Sequence, residues 1–71
     1  MRVQERSVTD IVMAIVKMNE QVLHFKGHTD PANYKTVKHY IGMNYDLHVE
    51  ELMNRGYKTI AKKYQDLTEK W

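Results

Sequence analysis

Apolar residues recur along this chain every three or four positions, the period of a helix that turns one face to a core. Val8, Ile11, Val12, Ile15, Val22 and Phe25 follow it, with Met18 in the gap. Met13, Val16 and Leu23 widen the stripe beyond one face, which predicts contact with two neighbours. Ser7 stands where an N-cap belongs, and Asp10 three residues on is an acidic form of the capping box. Lys26 suits the last turn and Gly27 a left-handed C′ position. The first helix is therefore expected near 8–26.

His28-Thr29-Asp30 reads as a connector, and Asp30-Pro31 as an N-cap followed by proline at the first helical position. Tyr34, Val37, Ile41 and Tyr45 make the next apolar stripe. Gly42 falls inside it, at a cost of about 1 kcal/mol relative to alanine in a helix interior. Asn44 and Asp46 then offer a new N-cap, with Glu50 and Glu51 suited to an early turn. This pattern favours an interruption, with helices near 31–41 and 46–55; the alternative is one helix bent at Gly42.

Met53, Tyr57, Ile60, Tyr64, Leu67 and Trp71 then alternate in steps of four and three, the spacing of a seam that lies along another helix. Ala61 beside them permits close approach. Gly56 either caps the preceding helix or lies inside a continuous one; an end at Arg55–Gly56 is the simpler reading, with the last helix expected near 57–70. No alternating run bounded by turn residues suggests a strand. The predicted fold is all-α, a small helical bundle of three to four short helices in one domain over residues 1–71, with 1–6 a flexible lead-in. Ile11, Ile15, Val22, Val37, Ile41, Leu52, Ile60 and Leu67 are its expected core.

Size makes this bundle demanding. At 71 residues a single core supplies little net stability, and with no cysteine there is no disulfide or thiolate zinc to staple it. The helices must pack very well or the chain must associate. A 42 % hydrophobic share with a net charge of +2 argues against whole-chain disorder, and equally against binding driven by phosphate charge. The longest apolar run, Ile11 to Val16, is far short of the roughly 20 residues a bilayer requires. Asp10 and Lys17 bracket it too closely for a secretory signal, so a cytoplasmic location is expected.

Candidate chemistry is sparse. His24 and His28 are four apart and would share a face on a continuous helix, with His39 and His48 as further ligands. A helix ending at Gly27 spoils that pairing, so no metal is expected. Glu50, Glu51 and His48 are the only acid–base grouping, and the chain has little room for a pocket around them. Phosphate loops, nucleophile elbows and cysteine nucleophiles are absent from the sequence. The expectation is a chain with no catalytic residue, cofactor or small-molecule substrate.

Glu51 to Tyr64, with a helix end, Gly56 and then Ile60-Ala61-Lys62-Lys63, resembles the opening of a helix-turn-helix DNA-binding unit. Such a unit needs a following recognition helix. Gln65 to Trp71 instead continue the same apolar stripe, which favours one packing helix with Lys58, Lys62 and Lys63 in water. Tyr34, Tyr40, Tyr45, Tyr57, Tyr64 and Trp71 are many aromatics for a short chain, of the types enriched at interfaces. The functional expectation is a small non-enzymatic interaction module, a regulator, adaptor or inhibitor, alone or as a homodimer. Its partner-binding residues would be Met53, Tyr57, Tyr64 and Trp71. The alternative is a nucleic-acid-associated module using Lys35, Lys38, His39, Arg55, Lys58, Lys62 and Lys63.

Overall fold

A computed structural model describes residues 2–71. Three α-helices run in order, α1 (Val8–His28), α2 (Pro31–Asn54) and α3 (Lys58–Leu67), with short 3-10 turns at Val3–Glu5 and Thr68–Lys70. Among the described residues there is no strand.

Local chemistry sets the helix starts. The Asp10 amide donates to Ser7 Oγ at 3.1 Å, and the Asn33 amide donates to Asp30 Oδ1 at 2.9 Å. Each satisfies one of the free amides of a helix first turn. Only Thr29 and Asp30 separate α1 from α2, so the two helices form an antiparallel hairpin. At the end of α2, Gly56 adopts φ +93°. Its amide donates to the Met53 carbonyl and the Tyr57 amide to the Leu52 carbonyl, both at 3.0 Å. This paired closure needs a left-handed residue, and glycine supplies it without a Cβ clash. The chain reverses there and α3 returns along α2.

Two glycines expected to break helices do not. Gly27 lies inside α1, which runs on to His28 before Thr29 turns extended. Gly42 lies inside an unbroken α2, so the predicted pieces at 31–41 and 46–55 are one helix. The reason at Gly42 is tertiary. Ile41 and Tyr45 on either side pack into the core, which offsets the helix cost of the glycine, and a Cβ built at Gly42 would meet Cζ3 of Trp71 at an ordinary 3.7 Å.

The core is one cluster: Ile11, Ile15 and Met18 from α1, Tyr45, Val49 and Leu52 from α2, and Ala61 from α3. Each large apolar side chain so buried contributes about 1.5–3 kcal/mol. Ile11, Ile15, Val22 and Leu52 are buried as the periodicity implies. Val37, Ile41 and Leu67 are only partly buried. Ile60 is 40 % exposed, and Ala61 takes the core position instead. The cause is Tyr45, the bulkiest fully buried side chain, whose hydroxyl reaches the Tyr64 carbonyl. That bond, with both residues' helices sharing one core cluster, fixes the rotation of α3 that turns Ala61 inward.

Val3 packs against this core, and Arg55 fixes the turn that carries it. The Arg55 guanidinium donates from Nη2 to the Gln4 carbonyl at 3.0 Å, while its Nε pairs with Glu51 at 2.6 Å. The molecule is a thin slab, 37 × 25 × 15 Å. Its radius of gyration of 12.3 Å exceeds the value of about 11 Å for a compact chain of this length.

Two stability outcomes follow from this packing. Ile15→Ala should cost about 2–5 kcal/mol, whereas Ile60→Ala should cost about 0.5 kcal/mol, as read from denaturant midpoints. Gly42→Ala should raise stability by about 0.5–1 kcal/mol, because the new methyl makes an ordinary contact with Trp71 and removes the helix cost of glycine.

Candidate interaction surface

The residues expected to bind a partner divide between outside and inside. Met53 and Tyr57 are exposed at the α2–α3 corner, with Ile60 nearby in sequence on the first turn of α3. Tyr64 and Trp71 turn inward and are partly buried. The indole of Trp71 meets the Tyr45 ring edge to face, with centroids 4.8 Å apart. Its N–H donates to Asn19 Oδ1 at 2.9 Å, and its backbone carbonyl accepts from the Tyr34 hydroxyl at 3.0 Å. Lys26 Nζ donates to the Lys70 carbonyl at 2.8 Å. These bonds clasp the end of α3 to both other helices and leave the indole no free face comparable to an exposed anchor.

Burial pushes the Tyr45 phenol up from 10.0 to about 12, and the neighbouring Tyr64 and Asp46 act in the same direction. The phenol must remain protonated to donate to the Tyr64 carbonyl.

The basic residues stand in three settings. Lys58, Lys62 and Lys63 surround a shallow hollow on α3 with Thr59 and Asp66. Lys35, Lys38 and His39 line a different groove, between α2 and the α3 end, together with Asp46 and Trp71. Arg55 is engaged by Glu51 and by the carbonyls of Val3 and Gln4. After Thr68–Lys70 no further helix occurs among the described residues.

His24 and His28 do share one continuous helix, contrary to the expected break at Gly27. Their rings stack at 4.4 Å with 17° between planes, and His28 Nδ1 donates to the His24 carbonyl at 2.9 Å. Stacked rings direct their nitrogens side by side rather than toward one point. Among the described residues, no three His, Asp or Glu side chains gather in a metal-binding group. His48 is only 4 % exposed. Its Nδ1 donates to the Asn44 carbonyl at 2.8 Å, which leaves Nε2 as a buried acceptor with no protein partner. It stands at the edge of an open groove of ≈ 740 Å³ along α1, whose walls include Met13, Val16 and Lys17.

The feature that sequence reading missed is the outer face of α2. Tyr40, Met43 and Leu47 are 69 %, 57 % and 54 % exposed. Their three-four spacing puts them in one stripe, on the side of the helix opposite Tyr45, Val49 and Leu52. His39 meets the ring of Tyr40 edge to face beside this stripe. The periodicity was there to find, but a helix thought to end at Gly42 cuts the stripe in two.

No family model, curated protein or solved structure matches the chain at a significant level. Among the described residues, no helix is long and apolar enough to cross a membrane.

The Tyr45 geometry makes a pH prediction. With the folded phenol held at about 12 and the unfolded one near 10.0, the bond to Tyr64 stabilises the fold in full below pH 10. That contribution is lost as pH rises from 10 to 12, because the unfolded chain ionises first. Tyr45→Phe should be about 1 kcal/mol less stable at neutral pH. Its melting temperature should also fall less than that of the wild type across the alkaline range, so the two curves converge.

Proposed function

We propose that this chain is a small non-enzymatic protein-interaction module, a regulator, adaptor or inhibitor, that works through an apolar helical surface. One observation carries the reading. Among the described residues nine large hydrophobic side chains are exposed, against eight hydrophobic residues buried in the core. A chain this short draws its stability from apolar burial and gains nothing by leaving so many large apolar side chains in water. The accessible surface gives the same account: 5187 Å², where a compact monomer of 8.5 kDa exposes about 4,700 Å².

The stripe of α2 is the main candidate within that surface. Its side chains are the most exposed set with regular helical spacing, and they stand on an element whose other face is locked into the core. Such a pre-ordered helix loses little entropy on binding, which favours affinity. Met53 and Tyr57 form a second apolar area at the corner. A cytoplasmic setting belongs to the same proposal, since a chain without cysteine requires no oxidising compartment.

Affinity capture with the full chain as bait, read by mass spectrometry, tests the reading. Met43→Asp should weaken binding of the captured species at least tenfold, about 2 kcal/mol of hot-spot energy, while circular dichroism and the melting temperature stay near wild type. Lys17→Asp, on the opposite helix, should have no such effect. An identical captured set for wild type, Met43→Asp and Leu47→Asp contradicts the proposal.

A further inference from the structure

We infer that the occupant of the α2 outer face is a second copy of this chain, laid antiparallel about a two-fold axis near Met43. The inference rests on the interaction reading above and names its partner.

The apolar stripe is self-complementary. Tyr40 lies three residues before Met43 and Leu47 four after it, so reversing the helix about Met43 places tyrosine over leucine twice and methionine over methionine once. An aromatic against an aliphatic of moderate size, with a flexible thioether at the crossing point, fills a helix–helix seam without a like-on-like aromatic clash. Two turns of contact span only about 10 Å at 1.5 Å per residue, so the flanks must set the direction.

The flanking charges do set it. Lys35, Lys38 and His39 precede Met43, while Asp46, Glu50 and Glu51 follow it. Lys35, His39 and Asp46 line the same groove as Met43, which puts them on one flank of the stripe. His39 is four residues before Met43 and Asp46 three after; Lys35 is eight before and Glu50 seven after. The same two-fold that matches the apolar side chains therefore sets His39 against Asp46 and Lys35 against Glu50, each twice by symmetry. A parallel pairing would set lysine over lysine and glutamate over glutamate, which costs energy. Among the described residues the one ion pair is Arg55–Glu51, so Lys35, Asp46 and Glu50 have no ion-pair partner among those residues. The axis relates two identical surfaces, and the pair closes without leaving a sticky edge.

The chain has no native cysteine, which permits a direct readout of register. Under mild oxidation Met43→Cys should form a disulfide-linked dimer with itself. Tyr40→Cys and Leu47→Cys should each fail to link alone but should link when mixed, since only these pairings bring the Cα atoms within about 7 Å. Sedimentation of the unmodified chain should show a monomer–dimer equilibrium, with Kd of about 1–100 µM for so small a contact. Lys35→Glu and Glu50→Lys should each weaken the dimer about tenfold, and the double reversal should restore it to within about threefold. Equal self-linking at all three positions means a parallel pair and overturns the inference, as does a failure of the double reversal to restore affinity. A chain that stays monomeric at about 1 mM overturns it as well. If that monomer still binds another protein in a manner sensitive to Met43→Asp, the interaction reading survives alone; if it binds nothing, both fall.

Discussion

The buried phenol of Tyr45 is the contact on which the remainder of the fold depends. It is fully buried in α2, reaches the backbone of α3 through its hydroxyl, and carries the indole of Trp71 on its ring. A phenol in an apolar core is tolerated only when its hydroxyl finds an acceptor. The acceptor here is a backbone carbonyl of α3, so the position of that helix is fixed by a polar requirement as much as by packing. Ala61 is the α3 residue that joins the core cluster with Tyr45, while Ile60 stands 40 % exposed.

That arrangement explains where sequence reading succeeds and where it fails. The starts of α1 and α2 and the glycine turn at Gly56 are legible because each is a bargain between a side chain and backbone a few residues away. The continuity of α2 through Gly42 is not legible, because it comes from the packing of Ile41 and Tyr45 on core residues remote in sequence. Local propensity penalises that glycine and tertiary contact overrides the penalty. Along α3 and the turn after it the seam holds at Tyr64 and Trp71, but Ala61 rather than Ile60 is covered, because periodicity gives a face and the neighbour decides which edge of it is buried.

The surface reading shares this history. Met53 and Tyr57 are exposed, whereas Tyr64 and Trp71 have work inside the molecule. The aromatic count of the sequence correctly marks residues of large contact area but does not say which side they serve. Once α2 is seen as unbroken, Tyr40, Met43 and Leu47 join into a surface that the sequence contains in full. The thin slab is why such a surface exists: a helix in a structure 15 Å thick has one face for the core and another for the outside.

The clasp at Trp71 also bears on how the molecule breathes. α3 contributes a single fully buried residue, Ala61, and is otherwise retained by the turn at Gly56, by the Tyr45 hydroxyl on the Tyr64 carbonyl, and by the hydrogen bonds beyond its far end to Asn19, Tyr34 and Lys26. A short helix held by so few contacts opens from the end farther from its covalent turn. The local opening expected first is one in which the clasp and the Tyr45 bond let go, α3 swings on its glycine turn, and the Tyr45 ring is uncovered. Amides of α3 would exchange with solvent through that state sooner than those of α1, and a protease would find its first foothold there.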